Sequence, residues 1–156
     1  MPQLSLHSPV GDLTISVDDD KIVAVDWGWG RDQDSTPLLR DAKKQLEAYF
    51  DGHLKKFDLP LAPEGSPFQK DVWRVMVKIP YGKTLTYGAV AERLDSSARS
   101  VGTACGRNPL PILIPCHRII AAGNSKGGYS GAGGLKTKAA LLRLEGALET
   151  PDDLFA

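Results

Sequence analysis

Leu59-Pro60-Leu61-Ala62-Pro63-Glu64-Gly65 divides the chain into two. Two prolines and a closing glycine within seven residues give this stretch the composition of a linker, since proline withholds a backbone donor and glycine interrupts regular structure. The charge changes sign across it. Residues 1–65 carry 7 basic and 12 acidic side chains, a net of −5, and residues 66–143 carry 12 and 3, a net of +9. Residues 144–156 carry 0 and 4, so the overall net charge of zero conceals a basic segment between two acidic ones. Such a segment suits a polyanion, and it suits ordinary solvated helix surface equally well. The expected organisation is an N-terminal domain over 1–65, a second domain over 66–150 and a loose acidic tail over 151–156.

Towards the N-terminus from the linker, Thr36-Pro37 offers a cap and a first-turn proline. Leu38, Ala42, Leu46 and Tyr49 then recur at helical spacing until Gly52. Before that helix, Leu13-Thr14-Ile15-Ser16-Val17 alternates as a half-buried strand does, and Lys21-Ile22-Val23-Ala24-Val25 follows the Asp18-Asp19-Asp20 turn as its partner.

Towards the C-terminus, Ser66-Pro67 starts a helix whose buried face is marked by Phe68, Val72, Met76 and Ile79 and which ends at Pro80-Tyr81-Gly82. Thr86 can cap a short helix running to Leu94, and Ser96 or Ser97 can cap a second from Ala98 to about Arg107. The short break between them predicts a helix-turn-helix. The second helix is poor in bulky side chains, which suits close approach to a groove and also suits tight packing on neighbouring helices. Asn108-Pro109-Leu110-Pro111 cannot be helical, so extended chain is expected to lead through Ile112 to Ile120. A glycine-rich loop follows from Gly123 to Gly134, and a last helix runs from Leu135 to about Leu148 with Ala139, Leu142 and Leu148 facing in. The fold class expected is α/β: a small N-terminal sheet-plus-helix domain packed on a mostly helical C-terminal domain with a helix-turn-helix.

At 156 residues and 42% hydrophobic, the chain is long enough for one ordinary core or two small ones. No apolar run approaches the roughly 20 residues needed to span a bilayer, and Met1-Pro2-Gln3-Leu4 lacks the start of a signal peptide. A cytoplasmic protein without a membrane partner, monomeric in solution, is the expectation. Ten residues separate Cys105 from Cys116, which matches no common zinc pair, and His7, His53 and His117 are scattered. No metal and no cofactor are expected.

Cys116 stands beside His117 and Arg118 in the basic segment, surroundings that favour a thiolate. On extended backbone, however, adjacent side chains point to opposite faces, so His117 needs a relay to reach the sulfur. Glu145, just before Gly146, is the candidate carboxylate to orient the imidazole. The alternative is a satisfied core histidine and a helix-end glutamate.

Ile112-Leu113-Ile114-Pro115-Cys116-His117-Arg118-Ile119-Ile120 resembles the active-site signature of the O6-alkylguanine-DNA alkyltransferases. The resemblance extends over Phe68-Gln69-Lys70-Asp71-Val72-Trp73, Ile79-Pro80-Tyr81-Gly82, Thr86-Tyr87, Ala98-Arg99-Ser100-Val101-Gly102, Asn108-Pro109, Gly128-Tyr129-Ser130-Gly131 and Leu142-Arg143-Leu144-Glu145-Gly146. About half the chain is covered, in order, and residues 1–65 resemble only the family's variable N-terminal domain.

The resemblance implies that Cys116 accepts an alkyl group from O6 of guanine irreversibly, once per chain. It implies that Glu145 bonds His117, which activates the thiol through a water, and that Asn108 braces the turn before the active-site segment. Tyr87 is implied as the proton donor toward the purine, Ser130 as the contact to O6, and Tyr129 and Arg118 as further substrate-binding residues. Arg99 is implied as the finger that fills the stack vacated by a flipped nucleotide, on a helix whose Ser100, Gly102, Thr103 and Ala104 enter the minor groove of double-stranded DNA. Two other readings share parts of this pattern. A non-enzymatic lesion binder of the alkyltransferase-like group has another residue at the cysteine position, which here is Cys116. A Cys-His-Glu hydrolase needs an oxyanion hole, and nothing between Ile112 and Arg118 supplies an identifiable one.

Overall fold

Strands β1 (Gln3–Leu6), β2 (Leu13–Asp18) and β3 (Lys21–Trp27) form an antiparallel sheet in that order, and helix α1 (Pro37–Phe50) packs on β1 and β2. The computed structural model describes residues 1–121 and 133–147 and divides into two units, Met1–Glu64 and Gly65–Ala156. The β2–β3 connection is tight because Asp19 and Asp20 both take positive φ, 51° and 57°. Two-residue hairpin turns that follow the strand twist need that conformation, and aspartate tolerates it.

Leu13, Ile15 and Val17 on one face of β2 are buried, as are Leu39, Ala42, Leu46 and Tyr49 along α1. The α1 face therefore begins at Leu39 and not at Leu38, which is only half-buried. The other sheet face is polar and satisfied. Ser5 Oγ lies 2.9 Å from Thr14 Oγ1 and accepts from Gly30 N and Gln33 Nε2. Part of the linker joins this unit: Ile22 N donates to Pro60 O and Ala62 N to Ile22 O, so Leu61 bridges to the edge of β3.

The second unit begins with α2 (Pro67–Val77), whose Ser66 cap and Gln69 form a reciprocal capping box. Val72, Trp73 and Met76 are its buried residues, and the Trp73 indole N–H donates to Ala104 O at 3.0 Å. Thr86 caps α3 (Tyr87–Arg93) and Ser97 caps α4 (Ala98–Gly106), and these two helices pack together as the expected helix-turn-helix. Their turn closes when Ser96 N donates to Ala91 O, with Asp95 in the left-handed region at φ 51°. A short parallel pair, β4 (Leu85–Thr86) with β5 (Ile119–Ile120), ties the entry to α3 to the end of the active-site segment. Helix α5 (Leu135–Leu144) closes the described chain. Gly146 at φ 76° and the Ala147 N to Leu142 O bond end this helix, four residues sooner than the spacing predicts.

The glycine-rich loop, apart from Gly133 and Gly134, lies outside the described residues, as do Leu148 and the acidic tail. Among the described residues no helix is long and apolar enough to cross a membrane.

Candidate active site

The segment before Cys116 is a run of tight turns and not extended chain. Leu113 N donates to Pro111 O and Ile114 N to Leu110 O, which forces Ile112 to φ 74°. A β-branched residue there is a strained outlier, held only where its surroundings over-determine it. Asn108 supplies that restraint: its Nδ2 donates to Ile114 O and its Oδ1 accepts from Leu110 N, both at 2.9 Å. Pro115 then leads into a single 3-10 turn, Cys116–Arg118. The turn, not alternation along a strand, sets where Cys116, His117 and Arg118 point, and it buries all three.

His117 Nε2 and Glu145 Oε2 lie 2.8 Å apart with both side chains fully enclosed. Glu145 occupies the C-cap of α5, a position fixed by the helix end. Gly82 makes room for that end, because a Cβ there would stand 3.1 Å from Glu145 O. The other imidazole nitrogen, Nδ1, is buried and has no hydrogen-bond partner among the described residues. A neutral imidazole bonded in this way carries its proton on Nε2 and a lone pair on Nδ1.

The local electrostatics follow from burial. It pushes the Cys116 thiol up from its ordinary value, while a hydrogen bond from Asn108 and the Lys138 charge pull it back. Burial holds His117 low; Glu145 pulls it up, and Arg118 and Lys138 push it down. Cys105 is pushed up to about 12, chiefly by burial, which leaves it an inert thiol. Lys138 is fully buried, donates from Nζ to Ile119 O at 2.7 Å and stands 5.7 Å from the Tyr87 ring centre. Burial lowers its pKa, and the two cysteines raise it. Sequence reasoning passed over Lys138, although a lysine three and four residues before Leu141 and Leu142 lies on an apolar stripe, which is a readable signal.

The structure thus brings together Asn108, Cys116, His117 and Glu145, with Tyr87 linked through Lys138. Arg99 and Thr103 are exposed on α4, Ser100 and Gly102 are half-buried beside them, and a Cβ at Gly102 would touch the Tyr87 ring at 3.9 Å. Two expectations need correction. Ala104 is 2% exposed and its carbonyl holds Trp73, because the helical period turns Val101, Ala104 and Cys105 inward; it cannot enter a groove. Arg118 is not turned toward a substrate: its guanidinium is buried and bonded to Glu145 and to Ile79 O. Tyr129 and Ser130 lie outside the described residues.

Comparison with known proteins agrees with this geometry. The family model for the DNA binding domain of 6-O-methylguanine DNA methyltransferase matches residues 67–147, and that for its ribonuclease-like domain matches residues 4–63. The methylated-DNA--protein-cysteine methyltransferase of Methanosarcina acetivorans is 43% identical over 151 residues, covering 90% of this chain and 96% of the relative. The constitutive enzyme of that name from Bacillus subtilis is 39% identical, covering 89% and 92%. Among solved structures, Mycobacterium tuberculosis O6-methylguanine methyltransferase is 35% identical with a TM-score of 0.83, covering 94% of this chain and 93% of that one. The Mycobacterium tuberculosis protein in complex with DNA is 34% identical with a TM-score of 0.83 over 100% of both chains. By its sequence, its two units and its buried Cys-His-Glu arrangement, this chain belongs to the 6-O-methylguanine DNA methyltransferase family.

Proposed function

We propose that this chain repairs DNA by taking the alkyl group from O6 of guanine in a duplex onto Cys116, in one irreversible turnover. The observation that carries the reading is the buried set Cys116, His117 and Glu145, in which Glu145 fixes Nε2 of the imidazole and leaves Nδ1 on the far side of the ring. In this scheme His117 takes the thiol proton through a bridging water, the sulfur attacks the alkyl carbon, and the carbon–oxygen bond breaks. Negative charge then moves onto guanine, where Tyr87 donates a proton, and Ser130 is assigned the O6 contact. Donors placed where charge develops lower the barrier. Apart from the bridging water, every group that this scheme uses is a side chain of the protein.

The O6 atom lies inside the duplex, so the nucleotide must leave the stack for a sulfur to reach its alkyl carbon in line. Arg99, exposed near the start of α4, is assigned to fill the gap, and Ser100, Gly102 and Thr103 are assigned to the minor groove. Domain limits of 1–65 and 66–150, a monomeric state and a cytoplasmic location complete the proposal.

Stoichiometry tests it. A thioether is no target for water at neutral pH, whereas the thioester of a cysteine hydrolase is. With excess duplex containing O6-methylguanine, intact mass should show one methyl group per chain, and peptide mapping should place it on Cys116. Sustained turnover, or an adduct on Cys105, would overturn the assignment. Cys116→Ala should end transfer while keeping salt-sensitive duplex binding, since phosphate contacts come from the basic segment.

A further inference from the structure

The Glu145 carboxylate is shared. Its Oε2 meets His117 Nε2 at 2.8 Å and Arg118 Nη2 at 3.0 Å, while its Oε1 accepts from Arg118 Nε at 2.8 Å. The guanidinium is held from two further sides, and the ring on one of them is itself anchored. Nη1 donates to Ile79 O at 2.7 Å just beyond α2, the Tyr81 ring centre lies 5.9 Å from Cζ, and the Tyr81 hydroxyl donates to Leu144 O at 3.2 Å at the end of α5. The Arg118 side chain is 8% exposed and that of Glu145 is 0% exposed. This is a planar fork matched to a carboxylate and locked by its neighbours, a use of arginine that lysine cannot reproduce.

We propose that Arg118 is a positioning residue that sets the basicity of His117: by neutralising Glu145 it lets the carboxylate orient the imidazole without charging it. This rests on the relay reading of Cys116, His117 and Glu145. A bare carboxylate 2.8 Å from an enclosed imidazole favours the imidazolium, which has no lone pair left to take the thiol proton. With Arg118 bound to both carboxylate oxygens, Glu145 and Arg118 form a neutral unit that still holds the Nε2 proton. One remaining charge acts on His117 in the same sense, and the other titratable neighbours are neutral. Lys138, on α5, disfavours a second positive charge. Cys116, on the same turn, and Cys105, on α4, are both raised and are neutral at physiological pH. Tyr81, beyond α2, is held protonated by burial and by Glu145. His117 is accordingly a neutral base at rest.

The test removes the arginine's charge and reads the ring. His117 is titrated by the NMR shifts of its ring carbons in the wild type and in Arg118→Gln, and single-turnover transfer from an O6-methylguanine duplex is followed over the same pH range. In Arg118→Gln, His117 should titrate higher by at least about one pH unit, and the acidic limb of the rate profile should move with it. Arg118→Lys, which keeps the charge but not the fork, should transfer more slowly with the limb near its wild-type position. A uniform loss of rate in Arg118→Gln, with neither the titration nor the limb displaced, overturns the proposal and leaves Arg118 a packing residue. If Arg118→Gln does not fold, the same titration is run on Arg118→Met, which keeps the length of the side chain and removes its charge. Removing the arginine should again raise the His117 titration, and coincident curves overturn the proposal. The ring titration needs no substrate, so a wild type that fails to accept the alkyl group refutes the relay and still leaves the arginine's effect measurable.

Discussion

Asn108→Ala should destabilise the chain by about 2–3 kcal/mol and slow transfer, because one side chain holds a strained turn closed. Its Oδ1 is the acceptor for Leu110 N, a fully buried residue, and an orphaned buried donor costs about 1–3 kcal/mol. Its Nδ2 donor to Ile114 O is worth about 1 kcal/mol, since that carbonyl keeps a second partner in Cys116 N. Part of the loss is returned if Ile112 relaxes from φ 74°, where strain is about 1–3 kcal/mol, but relaxation displaces the residues leading to Cys116. Asn108→Asp keeps the Leu110 acceptor but sets a carboxylate oxygen against Ile114 O, so it costs stability as well, and it replaces a donor beside the sulfur with an anion that makes Cys116 harder to ionise. Urea denaturation should therefore show both variants less stable than the wild type, and single-turnover transfer should show aspartate slower than alanine. An alanine variant within about 0.5 kcal/mol of the wild type, or an aspartate variant faster than alanine, would refute the bracing argument.

Glu145→Gln should slow transfer by roughly 10²–10⁴. It should also cost about 3–5 kcal/mol in a thermal or urea melt, since Arg118 is left buried without its anion. For Arg99→Ala, an exposed change on α4, stability should stay within about 0.5 kcal/mol, while reaction with duplex falls far more than reaction with free alkylated base; equal losses count against the finger role. Because the folded His117 is held below the 6.5 of a free imidazole, the unfolded chain takes up a proton first. The histidine's contribution to stability is therefore complete above pH 6.5 and is lost as pH falls below it, at no more than about 1.4 kcal/mol per pH unit until the folded state also protonates. His117→Gln should remove that slope from the pH dependence of the denaturation midpoint.

Local chemistry made the helix boundaries readable. Thr36, Ser66, Thr86 and Ser97 each accept from a first-turn amide of the helix that they precede. What was not readable depends on partners distant in sequence. The alternation of Gln3–Leu6 is too short to stand alone as a strand without β2 beside it, and two-residue β4 and β5 exist only through each other. Arg118 has the same appearance in sequence whether it meets a phosphate or a carboxylate, and the carboxylate lies 27 residues away. The active-site segment, rich in β-branched residues, suggests a strand; its own backbone bonds and those of Asn108 make it turns instead.

The bond from Trp73 to Ala104 also makes the protein a candidate for optical study. Of its three tryptophans, two fall at positions 27 and 29, and Trp73 is the sole indole of residues 65–156. Its N–H is clasped by a carbonyl of the helix assigned to enter the groove, and its side chain is buried. An indole so enclosed emits to the blue, and any event that lifts α4 from α2 admits solvent and shifts the emission to the red. With Trp27 and Trp29 replaced by phenylalanine, the arrival of a damaged duplex and the later fate of the alkylated chain could be timed from intrinsic fluorescence, with no dye attached to protein or nucleic acid.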